Sequence, residues 1–386
     1  MSQSQDRSQD DWQGELLRNL RNLSSELDEL ADKRDAAAKA VETTAEPVHE
    51  SPAARPEAAP QSPVAPPPSP VTTEIRLPEE LLKGKPLSGD TAAKRTGRSL
   101  RRLVGSSATH EVAEATRVAQ ALQQPVTTGR QIVVTSIRGG AGKTTIAALL
   151  GRTYAHYRQD PVLMLEADPA LGTLPARLGA TKVRWTAADL AHIVNPSMQL
   201  TDVCGYLVQL PDRGWLLPGS QGRVGSQLEL ADYRAVMVAL RRYFGITVVD
   251  CDSLPSELSR TALAAAQARV LVTPATAEGV TSTRAVLDWM ASVQRPRMLA
   301  RTVVVLAATS PHMTLDLSAA SAHLKLEGVT VLKLPYDRHL AAGGPIRTDL
   351  LGQATREAAT ELAAEVLSKA TSYRSAQSTG RQGGQR

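Results

Sequence analysis

Short apolar runs recur along the chain beyond residue 130, and stretches rich in Ala and Leu separate most of them. The runs predict buried strands at Ile132–Thr135, Val162–Leu165, Ile246–Val249, Val270–Val272, Thr302–Leu306 and Val329–Leu332. The stretches between and after them predict helices at Thr144–Tyr157, Asp232–Tyr243, Glu257–Ala266, Ser282–Val293 and Asp349–Ala370. Strands that alternate with helices form a parallel sheet covered on both faces. Residues 131–370 are therefore expected to form an α/β domain with a doubly wound, mostly parallel sheet.

The first 45 residues have a different pattern, which is typical of a coiled-coil helix. Spacings of four and three residues alternate along a single apolar stripe, formed by Leu16, Leu20, Leu23, Leu27 and Leu30. A lone helix cannot bury such a stripe. We expect residues 1–45 to form a helix that binds a partner protein, although it could also lie on the main domain.

A Pro-rich segment and a basic segment lie between this helix and the α/β domain. Ten of the 24 prolines lie between residues 47 and 78, so residues 46–82 are expected to be a disordered, Pro-rich linker. Residues 83–130 are expected to be a basic arm followed by a short helix at Glu111–Leu122. The arm, residues 83–102, has seven basic residues against one acid, which suits DNA, anionic lipid or an acidic partner, or simply a solvated arm. Residues 371–386 are expected to form a disordered tail.

Cysteine content and hydropathy indicate the compartment. Two cysteines, Cys204 and Cys251, are too few for a disulfide framework and fit a reducing environment. No apolar run approaches the roughly 18 residues that a transmembrane helix requires. The sequence therefore predicts a cytoplasmic protein without a transmembrane segment.

A Gly-rich segment between the first strand and the first helix of the α/β domain carries the strongest chemical signal. Its residues are Arg138, Gly139, Gly140, Ala141, Gly142, Lys143, Thr144 and Thr145. Glycines let backbone N–H groups surround an anion, and the start of the helix favours negative charge. Lys143 is expected to bind the β- and γ-phosphates of a nucleotide, and the Thr144 hydroxyl is expected to coordinate Mg²⁺. The fold is thus predicted to be that of a P-loop NTPase.

The letters R-G-G-A-G-K-T-T resemble the deviant Walker A motif of the MinD/ParA ATPases, written K-G-G-x-G-K-T-[TS]. The resemblance covers residues 131–370 and implies binding of ATP with Mg²⁺, and an ATP-dependent homodimer. In that family a signature Lys reaches across the dimer to the partner's phosphates. Arg138 stands at this position, where it keeps the positive charge and could act as an arginine finger.

Two further segments resemble the same family. In VLMLEADPALGTL, Asp168 matches the Asp that positions the attacking water, although it could instead cap a turn before Pro169. Glu166 stands where the family more often has another Asp. In YFGITVVDCDS, an apolar strand ends at Asp250, which is expected to bind Mg²⁺ through water, and Asp252 follows two residues later.

The segment that would surround the nucleobase is less informative. LKLPYDRHLAAGG is similar to the family's I-P-x-D segment, so the candidates are Pro335, Tyr336 and Asp337. Relatives often place a base-reading Asn where this chain has Ala307, Ala308 and Thr309. Selectivity for ATP over GTP is therefore implied by the resemblance and not by these residues.

The flanks narrow the choice among MinD/ParA-like proteins. The C-terminus has no apolar helical face for a membrane. Gly97–Leu103, which follows a Pro-rich region, looks like a short basic stretch in actinobacterial members, some of them associated with type VII secretion. The leading hypothesis is an ATPase that acts as a nucleotide-dependent dimerisation switch and positions or regulates a partner. The alternatives are a nucleotide-binding scaffold without hydrolysis and a ParA-type DNA-binding partition ATPase.

Overall fold

The computed structural model describes residues 72–75, 87–90, 108–168, 172–222, 228–292 and 296–372. Several expectations fall outside these residues: the helix within residues 1–45, most of the linker, most of the arm including Gly97–Leu103, and nearly all of the tail. Within the described ranges, no helix is long and apolar enough to cross a membrane.

The described residues form ten strands. They are β1 Thr73–Glu74, β2 Arg130–Ser136, β3 Val162–Ala167, β4 Lys182–Val183, β5 Val208–Gln209, β6 Trp215–Leu217, β7 Ile246–Cys251, β8 Ala268–Pro274, β9 Thr302–Ala307 and β10 Thr330–Leu334. Eight of them build one sheet in the order β10-β9-β8-β2-β7-β3-β6-β5. Neighbours pair in parallel except β5 and β6, which are antiparallel at one edge. The predicted doubly wound, mostly parallel sheet is confirmed.

Helices cover both faces of the sheet. They are α1 Ala108–Leu122, α2 Lys143–Tyr157, α3 Leu174–Leu178, α4 Ala187–Ile193, α5 Leu200–Cys204, α6 Leu230–Leu240, α7 Glu257–Ala265, α8 Ala277–Ser292, α9 Pro296–Ala300, α10 Leu317–Leu324, α11 Arg338–Ala341 and α12 Gln353–Thr371, with a 3₁₀ turn at Thr348–Leu350. One face packs on α1, α2 and α12. The other packs on α4, α6 and α7, and further along the sheet on α8, α9 and α10.

The strands show why their sequences are apolar without alternation. In β2, Ile132 and Val134 enter the core beneath α2 and α12, whereas Val133 enters the core beneath α6 and α7. Both faces are buried, so successive positions on both faces favour apolar side chains. The less regular region 185–218 forms two short helices and two short strands, and a capping box between Thr186 and Asp189 begins α4.

The candidate chemistry gathers at one end of this sheet. The Gly-rich loop follows β2, Asp168 follows β3, and Asp250 lies near the end of β7. Because β2, β7 and β3 are parallel neighbours, their carboxyl ends meet at the same edge. Ligands of open α/β sheets bind at the carboxyl ends of the strands, at the point where the strand order reverses.

Two short segments upstream of β2 attach to the domain. The segment of β1 lies within the predicted linker, yet it pairs antiparallel with β4, and the Ile75 N–H donates to the Thr181 carbonyl at 2.8 Å. Further along, the Gly89 N–H donates to the Leu350 carbonyl at 2.7 Å. The Asp90 carboxylate accepts from the N–H of Gln353 at 3.1 Å. The composition of the predicted linker and of the predicted arm does not reveal these contacts.

Candidate functional site

The Gly-rich loop has the backbone shape of an anion cradle. Gly140 has φ 74° and Gly142 has φ 94°, in the left-handed region that side chains with a Cβ rarely adopt. A Cβ added at either position would meet no protein atom within 4 Å, so the loop borders open space. Gly142 precedes α2, and no side chain caps the N–H groups at the start of that helix. These groups are therefore available to a phosphate.

Lys143 lies in the first turn of α2, beside this cradle. Its Nζ donates to the Ser253 hydroxyl at 3.0 Å. Ser253 follows β7 by two residues, so this contact joins the loop after β2 to the loop after β7. The ammonium group is only partly exposed, and it lowers the pKa of both Asp168 and Asp250. Lys143 is thus the cation around which the two candidate carboxylates gather.

Asp250 is fully buried in β7 next to the same helix. Burial, helped by the nearby carboxylates of Glu166 and Asp168, raises the pKa of its carboxyl group to about 8. The Thr144 hydroxyl lies near enough to lower this pKa, but neither carboxylate oxygen makes a hydrogen bond of normal geometry with a described residue. Buried carboxylates without partners are rare and point to a ligand.

Asp168 is half-buried just after β3. Burial raises the pKa of its carboxyl group, as does the carboxylate of Asp252, while Lys143 lowers it. Asp252 is exposed, and its backbone carbonyl accepts the Thr135 hydroxyl at 2.7 Å. Asp168 is therefore held at the mouth of the site, where it can accept a proton or a hydrogen bond from a bound water.

Glu166, whose role the sequence leaves open, braces this end of the sheet. Its two carboxylate oxygens accept from the N–H groups of Leu174, at 3.1 Å, and Gly219, at 3.0 Å. Burial raises the pKa of its carboxyl group to about 7. A Cβ added at Gly172 would lie 2.2 Å from the Glu166 carboxylate, so only glycine fits there. Glu166 thus ties β3 to the start of α3 and to the segment after β6.

Arg138 lies at the exposed rim of the Gly-rich loop. Its carbonyl accepts the Ser136 hydroxyl at 2.6 Å, which shapes the turn after β2. In the first turn of α8, the pKa of Glu278 is lowered by hydrogen bonds from its own backbone N–H and from the Thr276 hydroxyl, and the positive charge of Arg138 adds a smaller effect. The Arg138 side chain is therefore near this turn. The exposed guanidinium is placed where it can meet another molecule over the loop.

A cavity of about 220 Å³ opens beside the Gly-rich loop. Both segments that the sequence assigns to the base line it, namely Ala307–Thr309 and Pro335–Asp337, with Gly142 and Thr145 on the side of the loop. Most of the lining is apolar, which suits the face of an aromatic base.

Asp337 lines this cavity, but its carboxylate is already engaged. One oxygen accepts from the N–H groups of His339, at 2.8 Å, and Leu340, at 3.1 Å, and so caps α11. The other accepts from the N–H of Gly352 at 2.8 Å. The residue is 3% exposed. Asp337 therefore shapes the wall of the cavity, and a base would meet the backbone of this segment.

Arg177 joins the cavity wall to the segment of the Gly-rich loop. Its guanidinium donates to the Thr145 hydroxyl at 2.8 Å and to the carbonyls of Leu340 and Gly344, each at 3.1 Å. Burial lowers the pKa of Arg177. The side chain extends from α3, the helix that follows Asp168. One residue therefore connects the three segments around the site.

Comparison with known proteins agrees with this geometry. The family model described as the CobQ/CobB/MinD/ParA nucleotide binding domain matches residues 132–343. The chain belongs to this family. The matched range begins in β2 and extends past the wall of the 220 Å³ cavity, so it includes the Gly-rich loop, Asp168, Asp250 and both segments that line the cavity.

Three relatives of known name share part of this family domain. The ESX-1 secretion-associated protein EspI of Mycobacterium tuberculosis is 28% identical over 241 residues, which are 61% of this chain and 36% of EspI. Maintenance of carboxysome distribution protein A of Synechococcus elongatus is 30% identical over 169 residues, 42% of this chain and 65% of that protein. Septum site-determining protein MinD of Synechocystis is 32% identical over 151 residues, 37% and 53% of the two chains. The chain thus spans less than two thirds of each of these relatives.

The chain is also similar to solved structures. An ATP complex of a Cyanothece McdA variant has a TM-score of 0.49 at 21% identity, covering 62% of this chain and 96% of that one. The cell division ATPase MinD of Pyrococcus furiosus has a TM-score of 0.45 at 21% identity, covering 62% and 98%.

The residues present fit a Mg²⁺ ion at this family's phosphate site. Asp250 offers two buried carboxylate oxygens without normal hydrogen bonds, and the Thr144 hydroxyl lies beside them. Among the described residues, no group of three or more His, Cys, Asp or Glu side chains could hold a metal. Mg²⁺ bound with a nucleotide needs no such cage, because phosphate and water supply most of its ligands.

Two residues of the site were missed by the motifs. Ser253 contacts Lys143 across 110 residues of sequence, and Arg177 contacts Thr145 across 32 and Leu340 across 163. Neither belongs to a pattern with a fixed spacing from the Gly-rich loop. A weak signal exists for Ser253, which lies three residues after the expected Mg²⁺ carboxylate, Asp250, in D-C-D-S. No comparable signal marks Arg177.

Proposed function

We propose that this family member is an ATPase that works as a nucleotide-dependent dimerisation switch and positions or regulates a partner protein in the cytoplasm. The observation that carries the proposal is Asp250, a buried carboxylate without normal hydrogen bonds beside Lys143 and Thr144. A structural carboxylate would be paired, as Glu166 is. An unpaired one at the head of a parallel sheet fits Mg²⁺ and a triphosphate.

Each proposed role follows from position. Lys143, together with the backbone of Gly139, Gly140, Ala141 and Gly142, binds the phosphates, while Thr144 and Asp250 hold Mg²⁺ directly or through water. The bound ion supplies positive charge to the phosphates. Asp168, half-buried and near Lys143, orients the attacking water. Thr145, Pro335, Tyr336 and Asp337 surround the nucleotide on the side of the base, which we propose is adenine.

Arg138 is the residue that we propose contacts the nucleotide of the second protomer in the dimer. It is exposed at the rim of the loop, and its forked guanidinium is suited to binding phosphate oxygens from a second protomer. Some contacts to the γ-phosphate can form only in the dimer. These contacts favour the dimer while that phosphate is present. Hydrolysis removes these contacts and lets the two protomers separate.

Nucleotide binding, turnover and self-association separate these roles. We expect Lys143→Ala to abolish ATP binding, measured by titration calorimetry with Mg²⁺. Asp168→Ala should retain ATP binding, lose turnover and remain dimeric by light scattering with ATP. Asp288→Asn, at an exposed carboxylate of α8, is the matched control and should behave as the unmodified protein. Turnover at the unmodified rate in Asp168→Ala would contradict the assignment of the water-positioning residue.

A second candidate is a scaffold that binds nucleotide and does not hydrolyse it. Arg138 in place of the signature Lys, Glu166 in place of Asp, and Ala307–Thr309 without an Asn favour it. A turnover assay with partner and DNA present distinguishes the two: persistent binding with no phosphate release selects the scaffold.

The partner itself is proposed from sequence likeness. Similarity to EspI, named for its association with ESX-1 secretion, favours a secretion-related partner, and the leucine stripe of residues 1–45 is the proposed contact. A pull-down with residues 1–45, against a variant with Leu20 and Leu27 changed to Ser, tests this contact. DNA binding through the arm at 83–102 is the rival. A steep fall of DNA affinity with salt that is lost on deleting the arm would select it.

A further inference from the structure

A cleft opens at the end of the domain opposite to the Gly-rich loop. Its volume is about 180 Å³, and it lies between α6 and α7 at the amino ends of β2 and β7. We call it the α6–α7 cleft; its lining is Gly129, Arg130, Gln131, Tyr233, Arg234, Met237, Val238, Arg241, Thr247, Thr261, Ala265 and Gln267. At ~3.3 Å per residue, β2 separates the cleft from the Gly-rich loop by roughly 20 Å. A molecule in the cleft therefore leaves the nucleotide site open.

The charge of the cleft is positive. Arg130, Arg234 and Arg241 line it, and no Asp or Glu does. The side chains of Arg234 and Arg241 make no hydrogen bond or ion pair with any residue that the structure describes. Arginines without acidic neighbours attract anionic groups and can bind carboxylates through two parallel hydrogen bonds.

An apolar side chain lies between these arginines. Val238 is 79% exposed, and among the described residues it is one of two large hydrophobic side chains that are exposed. Arg234, Val238 and Arg241 are spaced by four and three residues, so they share one face of α6. The opposite face of α6 buries Tyr233 and Leu240 in the core. The outward face is therefore not required for packing of the domain.

The size of the cleft distinguishes its occupants. Pockets for small molecules and cofactors usually measure about 300–1,000 Å³, so about 180 Å³ is small for one and fits a single inserted side chain. DNA binding depends on basic residues that follow a line of phosphates, and an apolar centre adds nothing to it. Apolar anchors flanked by arginines are instead typical of protein interfaces.

We infer that the α6–α7 cleft docks an acidic segment of a partner protein, with one apolar side chain of that segment inserted against Val238 and Met237 and its carboxylates on Arg234 and Arg241. The site is separate from the nucleotide site, so partner binding and nucleotide binding are compatible. The inference does not depend on hydrolysis of ATP.

Peptide binding to the full chain tests the chemistry. The probe is a fluorescein-labelled peptide Glu-Asp-Leu-Leu-Asp-Glu, followed by fluorescence anisotropy. One control peptide has Ser in place of both leucines, and another has Lys in place of the four acids. We expect saturable binding of the probe, and at least about tenfold weaker binding of each control, which corresponds to the loss of one strong contact. Equal binding of the Lys peptide, or no saturation by about 1 mM probe, overturns the inference.

Variants place the binding in the cleft. The pair Arg234→Glu and Arg241→Glu should weaken probe binding by at least about tenfold, and Val238→Ser should weaken it several-fold. Lys325→Glu makes the same kind of charge change at the exposed end of α10 and should leave probe binding unchanged. ATP affinity should be unchanged in all of these variants, because the cleft is remote from the Gly-rich loop. Unchanged probe binding in the double Arg variant overturns the inference.

Two further outcomes assign the cleft to another occupant. If duplex DNA binds and the double Arg variant abolishes that binding while the peptide fails to compete, the ligand is nucleic acid. If light scattering finds a dimer without nucleotide that Val238→Ser dissociates, the occupant is a second copy of this chain. Either result overturns the assignment to an acidic partner.

Discussion

Replacing Arg177 with Ala should weaken the fold and the nucleotide site together, because this side chain joins three segments around the site. The change removes the hydrogen bonds to Thr145, at 2.8 Å, and to the carbonyls of Leu340 and Gly344. Hydrogen bonds from a charged group contribute about 1.5–3 kcal/mol each. The three share one guanidinium and are not additive, so we expect a loss of about 3 kcal/mol in the free energy of unfolding. Domains are typically stable by about 5–15 kcal/mol, so the variant should still fold.

A double-mutant cycle isolates the contact to the phosphate loop. Thr145→Val removes only the 2.8 Å hydrogen bond and should cost about 1.5 kcal/mol. Because the two residues are in contact, their effects should not add. The free energy of unfolding lost in the double variant should be about 1 kcal/mol less than the sum of the losses in the two single variants. Arg177→Lys keeps the charge but lacks the fork, so it should recover only part of the loss. The assay is urea unfolding followed by tryptophan fluorescence and circular dichroism.

Nucleotide affinity provides the readout that general destabilisation would not change. Displacement of the Leu340 segment should weaken ATP binding of Arg177→Ala at a temperature where the protein is fully folded, and Arg177→Lys should partly restore it. A coupling energy below about 0.3 kcal/mol between Arg177 and Thr145 would refute the reasoning, because independent sites show no more than that.

Three other substitutions test individual contacts in the structure. Glu166→Ala leaves two buried N–H groups unsatisfied and should reduce the free energy of unfolding by about 3 kcal/mol in urea titrations; a loss under about 0.5 kcal/mol would contradict the bracing role. Tyr154→Phe removes a buried hydrogen bond of 2.8 Å and should cost about 1–2 kcal/mol by the same assay, whereas Tyr157→Phe on the same helix should cost almost nothing. His339 is 5% exposed and accepts the N–H of Arg347 at 2.9 Å, and burial lowers its pKa. Since its folded pKa lies below the unfolded value of about 6.5, its contribution is present above that pH and is lost as the pH falls. The urea midpoint should therefore drop between about pH 7 and about pH 5, and drop less in His339→Gln; identical pH profiles would exclude His339 as a cause.

The strands and the turn at the Gly-rich loop were predictable because their signals are local. Both faces of a central strand are buried, so Ile132, Val133 and Val134 are all apolar. The predicted run Ile132–Thr135 lies inside the observed Arg130–Ser136. The glycines at 140 and 142 adopt positive φ, which few other residues tolerate. Neighbouring residues in the sequence therefore determine the shape of the loop. The position of Asp250 near the end of β7 was predictable for the same reason, since it ends an apolar run.

Contacts between distant residues were not predictable from one sequence. The partners of Glu166 lie 8 and 53 residues away, and Arg177 reaches a carbonyl 163 residues away. Such contacts depend on how the chain returns to the sheet, and no spacing rule encodes them. The composition of residues 46–82 likewise hides the pairing of β1 with β4, because two residues of strand are too short to leave a pattern.

The attachment of β1 sets the practical limits of the folded unit. The described residues from Thr72 onward belong to one compact body that includes the eight-stranded sheet. A shortened protein that starts at Gln131, where the strand pattern begins, would expose the unsatisfied edge of β4 and remove the carboxylate that accepts from the N–H of Gln353. Biochemical work on the isolated nucleotide-binding body should therefore retain everything from residue 72, even though most of the added sequence carries no motif.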